Sequence, residues 1–139
     1  MKRKMIVGVG VGALLLVSMP HTLSPVLRLK ENPPVVEERT KATMAEKRAN
    51  KRLAKRVAWQ GYGWRKMEWR CIEYIFTKES RFDHLAKNRQ GSSAFGIGQR
   101  LKETSKDPLT QILHAYKYIQ HRYKTPCQAM NFHLRNNHY

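Results

Sequence analysis

Residues 64–79, "WRKMEWRCIEYIFTKE", constrain the fold more than any other stretch. Trp64, Cys71, Ile72, Ile75 and Phe76 recur at the i, i+3, i+4, i+7 spacing of a helix that buries one face. The next position on that stripe is Glu79, and a carboxyl group is the costliest thing to place there. No stretch alternates with the period of a strand, and no internal repeat or low-complexity tract appears. The pattern predicts an all-α domain with helices over 43–60, 64–79, 110–123 and 126–134. "QGYG" punctuates the first pair, Asp107 or Thr110 can cap the third helix, and "KTPC" places Pro126 at the first turn of the fourth. Between the second and third lies "NRQGSSAFGIGQ", too rich in Gly and Ser to be helical throughout.

Ahead of this domain the composition changes. Residues 1–4 are basic, and residues 5–19, "MIVGVGVGALLLVSM", are uncharged and apolar or small. This pattern predicts a hydrophobic N-terminal signal or anchor helix over 1–24, shorter than the roughly 20 apolar residues a free-standing spanning helix needs. "PHTLSP" offers no clean A-x-A cleavage site, so the segment is either removed or kept as a membrane anchor through residues 5–19. A buried core helix is the remaining reading. Residues 25–42, containing "SPVLRLKENPPVVEE", form a Pro-interrupted linker, and 43–139 form the domain. The domain is expected outside the cytoplasm, on the periplasmic side of the inner membrane, anchored or secreted.

Two cysteines, Cys71 and Cys127, fit that compartment. They either close a disulfide loop worth roughly 4 kcal/mol or remain buried free thiols. They cannot make a zinc site alone. His84, His114, His121, His133 and His138 show no metal-ligand spacing, so no metal and no cofactor is expected.

The 27 Lys plus Arg against 10 Asp plus Glu give a formal charge of +17, which draws the surface toward polyanions. Much of the excess lies in "KRANKRLAKR", residues 47–56. On a helix, Lys47, Lys51 and Lys55 line up beside Arg48, Arg52 and Arg56, opposite Ala45, Ala49, Leu53 and Val57. This face is either simply solvated or in contact with phosphate, anionic lipid or wall polymer. Charge alone, without a motif, speaks for nucleic acid, which is not expected as a partner. Trp59, Trp64 and Trp69 are read as core rather than sugar-stacking. Ile112, Tyr116, Ile119 and Tyr123 form a core face whose hydroxyls are free to reach a cleft.

Burial of Glu79 would disfavour its charged form and let it hold a proton near neutral pH, as a general acid must. The alternative is that Glu79 only marks a solvated helix end. Three ordered motifs bear on the choice: "KES", then "AKNRQGSSAFGIGQ", then "PLTQILHAYKYIQHRYKTPCQAMNFHLRNNHY". Together they resemble the catalytic domain of the lytic transglycosylases, in the lysozyme-like superfamily, above all its small exported or phage-borne members. In that family a Glu-Ser pair ends a helix, an Asn/Ser/Gly segment leads to a "GxGIxQ"-like loop, and a "YIxxRYGTPCxAWxF" helix follows. The resemblance covers roughly residues 60–139.

It implies a lysozyme-like fold with Glu79 as sole acid/base, and with Ser80, its helix-end companion, and Asn131 among the residues that bind substrate. Phe95, Gly96 and Gln99 would line the glycan cleft. Asn88 and Ser92 or Ser93 would contact the sugar or the catalytic carboxyl. The chain departs from the pattern at Lys124, at Met130 and Asn131 after Ala129, and at Asn137 and His138 before Tyr139. An aromatic sugar platform expected near 130 would then fall to Tyr118, Tyr123, Phe132 or Tyr139.

The implied reaction cleaves the β-1,4 bond between N-acetylmuramic acid and N-acetylglucosamine in peptidoglycan and leaves a 1,6-anhydro end. A hydrolytic outcome would need a second carboxylate. Glu73 and Asp83 are nearest in sequence, and both are read as surface charges. Two further readings stand beside this one: a catalytically weak glycan-binding or structural protein of the envelope or a virion, and a basic membrane-linked protein whose partner is nucleic acid, which the export signal and the cysteines speak against.

Overall fold

The computed structural model describes residues 37–139. The N-terminal hydrophobic helix expected over 1–24 lies outside the described residues. Among those described, no helix is long and apolar enough to cross a membrane.

The described chain is all-α. It holds α1 (Met44–Gly61), α2 (Met67–Glu79), α3 (Pro108–Tyr123) and α4 (Pro126–Asn136), with two isolated β-bridges in the long α2–α3 connection. Local chemistry sets three of the four starts. Thr43 and Glu46 form a capping box, in which each backbone N–H donates to the other's side chain. Asp107 accepts from the Thr110 N–H at 2.8 Å, so of the two candidates Asp107 is the cap. Thr125 caps α4, and proline occupies the first turn of both α3 and α4. α2 begins later than the periodicity predicts. Gly63 and Lys66 adopt positive φ, so the chain turns before it can coil, and Trp64 packs as part of that turn.

α2 packs mainly on α4 and α1 on α3. Along the stripe, Ile72, Ile75 and Phe76 are fully buried against Ile112, Tyr116 and Ile119 of α3 and the small Ala54 and Ala58 of α1, and Cys71 is buried at its bond to Cys127 of α4. Phe76 and Tyr116 stack at 5.8 Å between ring centroids. A single amide side chain ties the long connection to this core. Buried Gln111 accepts from the Ile97 N–H at 2.9 Å and donates to the carbonyls of His84 and Ser105. Gly96 is the neighbour that permits it: its φ is +77°, and a Cβ there would lie 2.3 Å from the Gln111 oxygen.

Three sequence expectations are corrected here. Trp64 and Trp69 are core, but Trp59 is 40% exposed, with Lys55 over its ring. It sits at the end of α1, beyond the stripe that meets the core. The Tyr116 hydroxyl is not free, because it donates to the Ala54 carbonyl at 2.8 Å in the interior. That of Tyr123 is buried without a partner among the described residues. Asp83 is not a surface charge. It is 4% exposed, pairs with Lys47 at 3.1 Å, and accepts from the backbone N–H groups of Ala42 and Leu85. Glu73, by contrast, is a half-exposed partner of Lys51.

Candidate active site

α2 stops at Glu79 because the chain behind it turns sharply. Ser80 closes the helix through its N–H to Phe76, and Arg81 and Phe82 both take left-handed φ, a conformation that costs bulky residues energy. Burial of Phe82 edge-on against Phe76 holds the turn in place. Glu79 is thereby presented at a helix end with its side chain 17% exposed.

One contact dominates its surroundings. Glu79 Oε1 lies 2.9 Å from Nε2 of His133, on the buried face of α4. A disulfide between Cys71 and Cys127, with Cα atoms 5.0 Å apart, joins the two helices that carry this pair. Burial pushes the Glu79 carboxyl upward from the ordinary glutamate value, while the nearby His133 and then His138 oppose the shift. No carboxylate contributes to the shift. Asp83 is engaged with Lys47, Glu73 with Lys51, Glu103 with Arg100 and His114, and Glu68 with the Cys127 N–H.

The residues after Glu79 build a wall beside it rather than a set of free polar groups. Ser80 Oγ donates to the Ile97 carbonyl at 2.7 Å, which fixes the helix end to the loop. Gln99, at φ +45°, donates Nε2 to the carbonyls of Ala86 and Gly96. Tyr139 donates to the Gly98 carbonyl at 2.8 Å. Burial, with the Glu79 charge adding to it, pushes the Tyr139 hydroxyl well up, so it stays a donor. Phe95 is half-buried and bridges to Lys87 and Arg100.

Asn88, Ser92 and Ser93 lie on an exposed turn. Asn88 accepts from the Gln90 N–H, Ser92 from that of Ala94 and Ser93 from that of Lys102, so the three shape the turn. Asn131 is exposed on α4 and, two residues from His133, faces away from it.

Tyr118 and Tyr139 meet edge-on at 5.8 Å and, with residues 98–101, line a hollow of about 140 Å³. The rings continue from Tyr118 to Tyr123, Phe132 and His138 at centroid spacings of 5.4 to 6.1 Å. Arg122 lies over three of them. The aromatics expected to replace a platform at 130 therefore form one connected strip that starts at Tyr139, whose hydroxyl is near enough to Glu79 to feel its charge. Met130 itself is half-buried and packs against the core.

His133 is the site residue that motif reasoning passes over. It lies 54 positions from Glu79, yet Pro126, Ala129 and His133 repeat at i, i+3, i+7, the same buried-stripe signal that marks Glu79. Among the described residues no group of three His, Cys, Asp or Glu side chains could hold a metal ion. Comparison with protein families, with curated proteins and with solved structures finds no match to this chain in any of the three.

Proposed function

We propose that this protein is a peptidoglycan lytic transglycosylase of lysozyme-like fold that works with one carboxyl group, Glu79. The observation that carries the reading is a partly buried carboxyl at a helix end, raised by burial and without a second carboxylate acting on it. Protonated Glu79 donates to the β-1,4 oxygen between N-acetylmuramic acid and N-acetylglucosamine, and an oxocarbenium-like state develops at C1. The same carboxylate then removes the proton of the muramic C6 hydroxyl as that oxygen bonds to C1. Water takes no part, which suits a site with a single acid. The ordered motifs around Glu79 support the choice of substrate, and the aromatic strip from Tyr139 to Phe132 offers apolar faces to sugar rings.

The disulfide suits an oxidising compartment, and the expected export or anchor segment would place the protein in the cell envelope. A virion that opens the wall locally for genome delivery is the other setting. Arg48, Arg52, Lys55 and Arg56 are exposed on α1 and have no ion pair among the described residues, so this face can hold the enzyme on anionic wall polymer or lipid.

The test is mass spectrometry of fragments released from purified peptidoglycan by the oxidised full chain and by Glu79→Gln. Anhydro-muropeptides from the wild type alone are expected. Reducing-end products would make the protein a hydrolase. Wall binding without release from either protein would leave a glycan-binding or structural protein.

A further inference from the structure

We infer that His133 is a positioning residue that holds Glu79 by Oε1 and thereby keeps the acid proton on Oε2, the oxygen left for the glycan. This rests on the reading of Glu79 as the general acid. The contact is a single hydrogen bond of 2.9 Å that a neutral ring can make in two ways; a charged ring would carry a hydrogen on both nitrogens, Nδ1 included. In one, the ring's Nε2–H donates to Oε1. In the other, a protonated Glu79 donates to a bare Nε2, and the ring's hydrogen moves to Nδ1.

The surroundings of Nδ1 choose between them. Nδ1 is buried and has no hydrogen-bond partner among the described residues. A lone pair left alone there costs less than an N–H left without an acceptor, since orphaned buried donors are the rarer defect in folded proteins. The Nε2–H form is therefore favoured, and it serves both states of Glu79. Oε1 accepts from His133 whether the carboxyl is protonated or ionised. A proton on Oε1 would point into Nε2–H, so the acid proton resides on Oε2. During the reaction Oε2–H passes to the leaving oxygen as the C1–O bond breaks. The proton of the C6 hydroxyl then returns to Oε2 as the new C1–O6 bond forms. The His133 proton does not move.

The ring is fixed well enough to do this. Its side chain is 9% exposed, and it meets Tyr74 of α2 edge-on at 5.8 Å and 88°. The disulfide holds α4 against α2. The other titratable groups around the pair are His138 and Tyr139 of the C-terminal segment, with Lys78 outside, over the Tyr74 ring.

Two measurements on the full, oxidised chain test the inference. Nitrogen-15 NMR of the wild-type imidazole near neutral pH should show His133 protonated on Nε2 and bare on Nδ1. A proton on Nδ1 would overturn the proposal, and this readout needs neither a variant nor turnover. Second, anhydro-product release is followed against pH for His133→Phe and His133→Gln. Phe removes a donor that favours the ionised carboxyl. The alkaline limb, where Glu79 loses its acid proton, should move to higher pH, and kcat should fall about tenfold with KM little changed. Gln can donate to Oε1, so it should bring back the limb and most of the rate. An unmoved limb in the Phe variant, or a Gln variant no better than Phe, would reduce His133 to packing. Full activity in Glu79→Gln would instead remove the reading of Glu79 and leave the tautomer measurement to stand on its own.

Discussion

Two acidic side chains four residues apart, Glu79 and Asp83, are both withdrawn from solvent, and the fold treats them differently. Asp83 receives a lysine and two backbone N–H groups, from Ala42 and Leu85, so its charge is compensated and its geometry is over-determined. It ties the start of α1, the segment ahead of it and the turn after α2 into one unit. Glu79 receives one ring nitrogen and is left with an oxygen that no described group satisfies. The difference teaches that burial alone does not mark a reactive carboxyl. What marks it is burial with too few partners, because that combination favours the neutral acid, whereas full compensation favours the anion.

Substitutions should separate the two. The largest effect is expected on turnover. Glu79→Gln should cut release of anhydro-muropeptides by roughly 10²–10⁴-fold, the range for a lost general acid. An Asp83→Asn protein, assayed well below its melting temperature, should retain most of its activity. If instead Asp83→Asn were the silent protein, the roles drawn here would be exchanged.

Next in size is the disulfide, the tie on the Glu79 side that corresponds to Lys47 on the Asp83 side. Cys71 and Cys127 are 56 positions apart, and opening a loop of that length should cost about 4 kcal/mol, read as a lower denaturant midpoint on reduction. Asp83→Ala comes third. It strands Lys47 and two N–H groups and should cost about 3 kcal/mol in the same measurement. Asp83→Asn, which keeps an acceptor, should cost less.

The smallest effect has a sign rather than a size. The folded-state value for Glu79 is raised, so its neutral form favours the fold at low pH, and that contribution is lost as pH rises through the folded value. Glu79→Gln should accordingly be the more stable protein at neutral pH. The gap should close as pH falls below the ordinary glutamate range, which thermal melts at several pH values will show. A variant less stable than wild type at neutral pH would mean that Glu79 is held as firmly as Asp83.

The helices were legible because their signals are local: "QGYG" after the first, Asp107 ahead of the third, Pro126 in "KTPC" at the fourth, and the stripe that runs to Phe76. The late start of α2 was not, since it depends on backbone conformations at Gly63 and Lys66 that no side-chain pattern records. Glu79 could be picked out because it continues a stripe. Its partner His133 could not be paired with it, since that contact is made by the packing of α4 on α2 across 54 positions. Asp83 was misjudged for the same reason: its lysine lies on another helix. The amide of Gln99 in the loop and the hydroxyl of Ser80 at the helix end were read as meeting substrate, yet Gln99 donates to two backbone carbonyls and Ser80 to one.

Gln111 and Gly96 carry a consequence for how sequences like this one can diverge. The amide of Gln111 occupies the space a Cβ at 96 would need, and from there it holds three backbone segments together. Neither position can drift alone. A side chain gained at 96 has to be preceded by a smaller residue at 111, and that intermediate leaves the Ile97 N–H and two carbonyls unsatisfied. Descendants of this chain are therefore expected to inherit the glycine and the glutamine as a pair or to lose both.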